Sequence, residues 1–268
     1  MVNCLGITRD PNGRYMIVMK FYKENLYSHI KNYTKYLLWR DIVDMLHKIA
    51  TGLKQIHDEN LYHGNLHGGN LLIEHTNEGI HVRISDIGLH GQTNRNSAVH
   101  GVLPYVAPEI LKGGKYTQAS DIYSFGIIMW TLSTCMKPFS DISHDFNLAK
   151  RICAGLRPEV IKNNTPDAYL LLMKRCWHQN PNQRPKATEL SNILSGWIAA
   201  IYHYPTSTIS IQLNAINRVK CLQRLSSHKF IHPQAKYTSQ LFGFPSLCDD
   251  AEFNNDNVRP NRLRAFTI

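Results

Sequence analysis

The chain has 268 residues, 43% of them apolar and 19% charged, which is enough apolar side chain to offset the ordering entropy of a folded domain and excludes disorder along most of its length. Its 16 glycines and 12 prolines exclude a collagenous or low-complexity chain. The net charge of +10 is spread: Lys+Arg against Asp+Glu is 11 to 9 in residues 1–100, 11 to 7 in 101–200 and 8 to 4 in 201–268, without the basic stripe of a nucleic-acid reader.

In chain order, residues 2–7 and 15–19 read as two strands, joined by the turn-rich tract Arg9-Asp10-Pro11-Asn12-Gly13-Arg14. From about residue 39 the period becomes helical, because Ile42, Met45, Leu46, Ile49, Leu53 and Ile56 fall at offsets 0, 3, 4, 7, 11 and 14. Residues 61–90 return to short runs, Asn70-Leu71-Leu72-Ile73 and Val82-Arg83-Ile84, broken by glycines. Residues 119–135 predict a second apolar helix. Thr165-Pro166-Asp167 reads as an N-cap followed by proline at the first helical position. Behind it Tyr169, Leu172, Met173 and Cys176 share a face, as do Leu190, Ile193, Leu194, Trp197 and Ile198. Beyond Ile201 the sustained period fades. Residues 202–268 are expected to form a largely disordered tail with one short helix around Leu213–Leu225, and His232–Tyr237 carries no readable signal.

The six cysteines (Cys4, Cys135, Cys153, Cys176, Cys221, Cys248) have no paired C-x-x-C spacing, so neither a zinc framework nor a small disulfide scaffold is expected. The N-terminus lacks a signal-peptide layout, and the longest apolar stretch, around Phe125–Leu132, falls short of the ~20 residues of a membrane span. A soluble, cytoplasmic protein with no membrane and no nucleic-acid partner is the expectation.

One constellation carries chemistry. His63-Gly64-Asn65-Leu66-His67-Gly68-Gly69-Asn70 is followed by Asp86-Ile87-Gly88, then Ala107-Pro108-Glu109, then Asp121-Ile122-Tyr123-Ser124-Phe125-Gly126, then Arg184. In order and spacing these resemble the catalytic loop, D-F-G, A-P-E, D-x-x-x-x-G helix and late arginine of the eukaryotic protein-kinase superfamily. The His67-Gly68-Gly69-Asn70 flavour resembles its tyrosine-kinase-like branch.

The resemblance implies an α+β, protein-kinase-like fold: a mainly α-helical large lobe (23–201), a two-strand remnant of the small lobe with the hinge (1–22), and the tail (202–268). It also implies roles. Asp86 and Asn70 match the two metal ligands, whose oxygens suit Mg²⁺. Met19 resembles the gatekeeper, Lys20-Phe21-Tyr22 the hinge, and Leu72 the residue beneath the adenine. His63 is expected to pack and hold backbone, Glu109 to pair with Arg184, and Asp121 to cap the catalytic-loop backbone.

The departures are as informative. Asn65 stands at the catalytic-aspartate position, where an amide cannot take up a proton at neutral pH. His67 and Val102 replace the lysine and threonine that surround that aspartate in many kinases. Gly64 replaces the arginine that grips a phosphorylated activation loop, which leaves Thr93 and Ser97 without that basic arm. No glycine-rich loop or V-A-I-K lysine precedes the hinge in this sequence. A pseudokinase with an interaction or scaffold role is therefore expected, with a protein partner, and with ATP and Mg²⁺ only if nucleotide binding survives. The alternative is an ATP-dependent protein kinase acting on Ser/Thr or Tyr of protein substrates, weakly active or active with a missing N-terminal segment.

Overall fold

The computed structural model describes residues 1–32, 37–77, 79–87, 99–160, 165–215 and 231–243. Gly88, Thr93, Ser97, Cys221 and Cys248, named above, lie outside them.

The helical body forms where the apolar period is longest. Helix α2 (Trp39–Asp58) buries one face, including Ile42, Met45, Leu46, Ile49, Leu53 and Ile56. Helix α4 (Gln118–Thr134) is buried all round, which is why its sequence reads as a continuous apolar run. A capping box starts it: Thr117 accepts from the Ser120 amide, and the Ser120 side chain reaches back to the Thr117 amide. Around these pack α1 (Leu26–Asn32), α3 (Pro108–Leu111), α5 (Phe146–Cys153), α6 (Asp167–Cys176), α7 (Ala187–His203) and α8 (Thr208–Ala215). One core joins them, with Trp39, Phe125, Tyr123 and Tyr169 at its centre. The cap of α6 differs from the sequence reading. Pro166 itself occupies the N-cap position with ψ 141°, so the fixed proline φ sets the entry.

The strands fall into three small antiparallel groups. β1 (Cys4–Arg9) and β2 (Tyr15–Met19) form a hairpin. β3 (Glu24–Asn25), β4 (Leu71–Thr76) and β5 (Gly79–Ile84) form a sheet beside α2. β6 (Val99–Gly101) pairs with β7 (Gln240–Phe242). The Asp10 carboxylate fixes the hairpin turn by accepting from the Asn12 and Arg14 amides at 2.9 and 2.8 Å. Every residue of β2 is exposed, and Ile7, Tyr15 and Phe21 are 70%, 71% and 83% exposed.

The expectation of a largely disordered region after residue 201 needs correction where the structure describes it. Helix α7 continues to His203, α8 occupies Thr208–Ala215, and residues 231–243 lie against the body and end in β7. The short helix expected around Leu213–Leu225 overlaps α8 only at its start, and residues 216–230 lie outside the described set. Residues 231–243 gain their order from a distant partner. The Val99–Gly101 backbone supplies the ladder bonds that no local period announces.

Candidate functional site

The His63–Asn70 loop is held from beneath by one buried carboxylate. Asp121, 1% exposed, accepts from the His63 and Gly64 amides at 2.7 and 2.9 Å and faces His57 Nε2 at 2.9 Å. Gly64 makes this bend with φ +74°, a left-handed conformation that an arginine there would adopt only under strain. His63 is 2% exposed. Its Nδ1 accepts from the Asn65 amide at 3.2 Å, so its Nε2 donates to the Ser85 carbonyl at 2.9 Å. The ring thus joins the loop to the end of β5 and is engaged in holding backbone.

Asn70 closes the loop on itself by donating from Nδ2 to the Asn65 carbonyl at 3.0 Å. Its own carbonyl accepts from the Ser85 amide at 3.0 Å and the Ser85 hydroxyl at 3.2 Å. Asp86 follows directly, with φ +59°. A left-handed aspartate stores about 1–3 kcal/mol, a cost that clusters at functional positions. Asn70 and Asp86 are therefore carried on adjoining, bonded backbone, and their oxygens fit a hard cation.

The pair far below is equally fixed. Arg184, its side chain fully buried, donates to both oxygens of Glu109 at 2.7 and 2.8 Å, and also to the His178 and Ala119 carbonyls. Breaking such a pair from one side leaves an uncompensated charge.

The residues expected at the adenine end are placed differently. Met19 ends the exposed hairpin at 38% exposure, and the Phe21 ring stands in solvent. Tyr22 is half-buried, with the Lys20 ammonium 5.8 Å from its ring centre, and Lys20 itself pairs with Glu74. Leu72 sits on β4 opposite Asn25, half-buried. None of these five lines the large cleft, which runs instead between α1, the His63–Asn70 loop and the turn after α4.

Ile231, Ala235, Tyr237, Thr238 and Ser239 line that cleft on one side, and Ser239 is a candidate-site residue that the sequence did not reveal. Its Oγ donates to Asn65 Oδ1 at 3.1 Å and accepts from Asn65 Nδ2 at 2.9 Å. His67 Nδ1 accepts from the Gly69 amide at 3.0 Å, so its Nε2 carries the proton and donates to the same hydroxyl at 3.1 Å. One serine hydroxyl thus uses its single proton and both lone pairs on Asn65 and His67. Asn65 is 6% and His67 4% exposed, so these bonds form in low dielectric.

Upstream, Tyr237 donates to the Pro138 carbonyl at 2.9 Å and packs edge-on against His144 and Tyr27, at 4.9 and 5.9 Å between ring centres. Burial pushes the Tyr237 phenol well above its ordinary value. The Lys137 ammonium lies 5.0 Å from the Tyr27 ring centre and 4.8 Å from that of Tyr237. Burial, with Lys31 nearby, holds Lys137 below the usual ammonium range. Val102, 2% exposed, supplies no hydroxyl to this network.

Residues 1–194 match the family described as protein tyrosine and serine/threonine kinase. Among curated relatives, a protein of Acanthamoeba polyphaga mimivirus named for a serine/threonine-protein kinase/receptor (R818) is 33% identical over 57% of this chain and 9% of its own length. A protein of Dictyostelium discoideum named as a probable serine/threonine-protein kinase is 29% identical over 68% of this chain and 11% of its own length. The cyclic GMP-binding protein C of the same organism is 33% identical over 63% of this chain and 7% of its own length. The chain thus matches about a tenth of the length of these relatives. No helix among the described residues is long and apolar enough to cross a membrane.

Proposed function

Because this chain belongs to the protein tyrosine and serine/threonine kinase family, we propose that it works by binding protein, as a pseudokinase of the tyrosine-kinase-like branch, and transfers no phosphate as it stands. The observation that carries this reading is Asn65. Its amide sits at the centre of the catalytic loop, buried, with its donor and its acceptor both engaged by a hydroxyl. A carboxylate there would accept the hydroxyl proton; an amide has no basic site near neutrality. General-base help of that kind is worth about 10²–10⁴-fold. His67 is no substitute base in this arrangement, since its Nε2 is the protonated nitrogen and its Nδ1 is held by the Gly69 amide.

A second reading has its own support. Asn70 and Asp86 keep oxygen donors on bonded backbone, and two of the relatives carry names of serine/threonine kinases. In that reading Asn70 and Asp86 would hold Mg²⁺, which with ATP supplies charge neutralisation and the phosphoryl group. The donor set fits the metal. The adenine side fits less well, because Phe21 is 83% exposed and Met19 ends an uncovered hairpin.

The test is transfer of labelled phosphate from ATP to a generic protein substrate, with the Asp86→Ala chain as control. Incorporation equal to the control is expected. Turnover above the control favours the second reading and ends the first.

A further inference from the structure

We propose that Glu24, His29 and His75 form a binding site for a divalent transition-metal ion, with Zn²⁺ the ion that their chemistry favours. The site lies on β3, α1 and β4 and uses no residue of the His63–Asn70 loop or of the large cleft. It does not depend on whether the chain transfers phosphate.

The fold converges on it from three elements. The register of β3 and β4 sets Glu24 opposite Ile73. Side chains alternate along a strand, so His75, two residues beyond Ile73, shares the face of Glu24. Asn25 and Ser28 then turn the chain into α1 with reciprocal bonds. The Ser28 amide donates to Asn25 Oδ1 at 3.1 Å, and the Asn25 amide donates to Ser28 Oγ at 2.9 Å. That turn brings His29 back onto the same carboxylate. Glu24 Oε1 lies 3.2 Å from His29 Nδ1 and 2.8 Å from His75 Nε2. All three donor atoms lie within 4.8 Å of one another, the one such His, Cys, Asp or Glu set among the described residues.

Those spacings are close to what an ion needs. Bonds of about 2.0–2.1 Å to Zn²⁺ put tetrahedral donors about 3.3 Å apart. The two separations from Glu24 are already at or inside that value. The two ring nitrogens reach it by a turn of His75, whose side chain is 56% exposed, while the buried His29 ring supplies the rigid side. Two imidazoles and one carboxylate suit Zn²⁺, whereas Mg²⁺ and Ca²⁺ take oxygen sets. Three protein ligands leave the fourth position to water. Each ring binds as the neutral imidazole, and the proton it directs at Glu24 moves to its other nitrogen. Burial works against the Glu24 carboxylate, but the hydrogen bonds of His75 and His29 more than offset it and hold the group below its ordinary value.

A bound ion would replace two hydrogen bonds on one oxygen with a cross-link among three elements. Strand β3 is only two residues long and follows directly after Lys20-Phe21-Tyr22. The ion therefore pins the chain where it leaves the exposed hairpin.

The test uses the untagged full chain, stripped with a chelator and held in excess Mg²⁺ with a reductant and no nucleotide. Zn²⁺ is titrated by calorimetry, and Co²⁺ serves as the spectroscopic probe. One Zn²⁺ per wild-type chain is expected. Bound Co²⁺ should show the visible bands of tetrahedral coordination without a sulfur-to-cobalt charge-transfer band. His75→Ala and Glu24→Gln should each weaken Zn²⁺ by at least about tenfold, since losing a ligand costs no less than losing a supporting group. His203→Ala, at an exposed histidine outside the set, should leave the affinity unchanged. Zn²⁺ should also raise the melting midpoint of the wild type and of His203→Ala more than that of the two ligand variants. No Zn²⁺ bound by the wild type in excess Mg²⁺ overturns the site. So does a thiolate band with Co²⁺, or Zn²⁺ affinity in His75→Ala equal to that of the wild type. Because ATP is absent, the labelled-phosphate assay can end the pseudokinase reading and leave these outcomes as they are.

Discussion

On one side of the His63–Asn70 loop, residues 232–242 are tied down by backbone ladder, aromatic packing and a fully bonded serine hydroxyl. On the other side, the β1–β2 hairpin turns Leu5, Ile7, Tyr15, Met16, Ile17, Val18 and Met19 to solvent, between 38% and 71% exposed. The same Asp121 fixes that loop, and the two regions differ in how they are tied to the body: Tyr237, Ser239 and β7 bind one to it, while the apolar side chains of the other stand in solvent. The difference teaches where this sequence places its recognition chemistry. The Ser239 hydroxyl is bonded through its proton and both lone pairs, while the side expected to meet adenine offers an open ring and an uncovered strand.

The largest effect should come from the body that both flanks share. Arg184→Leu strips Glu109 of its partner and should lower unfolding free energy by about 3–5 kcal/mol in chemical denaturation. A loss well under that would mean that the two flanks do not hang on one cooperative body. Ser239→Ala comes next. It leaves the buried Asn65 amide and His67 without their hydroxyl, and should raise the open population of residues 231–243 by an amount worth about 1–3 kcal/mol, read from amide exchange at 240–242. No change there would erase the distinction between the flanks.

A smaller effect should follow pH. Burial holds the His144 ring, which seats the segment, below its ordinary value of 6.5, and does the same to His29 in the helical body. The unfolded chain therefore takes these protons first on acidification. Their contribution is full above pH 6.5 and is lost as pH falls from there through the folded-state values. A melting midpoint that falls between about pH 7 and about pH 5 is expected, and one that rises would reverse the sign of this account. The smallest effect belongs to the hairpin. Ile17→Thr or Leu5→Thr should change stability by no more than about 0.5 kcal/mol, because those side chains are already in water. A larger loss would show the hairpin to be covered in solution.

Much of the body is legible in the sequence because its signals are local. The offsets of Ile42, Met45, Leu46, Ile49, Leu53 and Ile56 declare α2, and the order of His63, Asn65, Asn70, Asp86, Glu109, Asp121 and Arg184 points to the candidate site. The structure holds His63, Asn65 and Asn70 on one bonded loop, seats Asp121 of α4 against it and puts Asp86 next to Ser85, which bonds Asn70. Ser239 was hidden for the opposite reason. A three-residue strand has no period of its own, and its partner, Val99–Gly101, is distant in sequence. The one trace was His232–Tyr237, an uninterpretable run in a stretch taken for a tail, and it is the run that seats Tyr237 on His144 and Pro138. Thr165 misled because Thr-Pro-Asp carries the residue types of a cap, while the proline's own geometry takes the cap position.

The measurement closest to the central claim is amide exchange on the full chain with and without excess Mg·ATP. Slow exchange at 99–101 and 240–242, fast exchange along Cys4–Arg9 and Tyr15–Met19, and no change on adding nucleotide would be the outcome predicted here. Protection of the hairpin and of Asp86 by Mg·ATP, with release of residues 240–242, would contradict it.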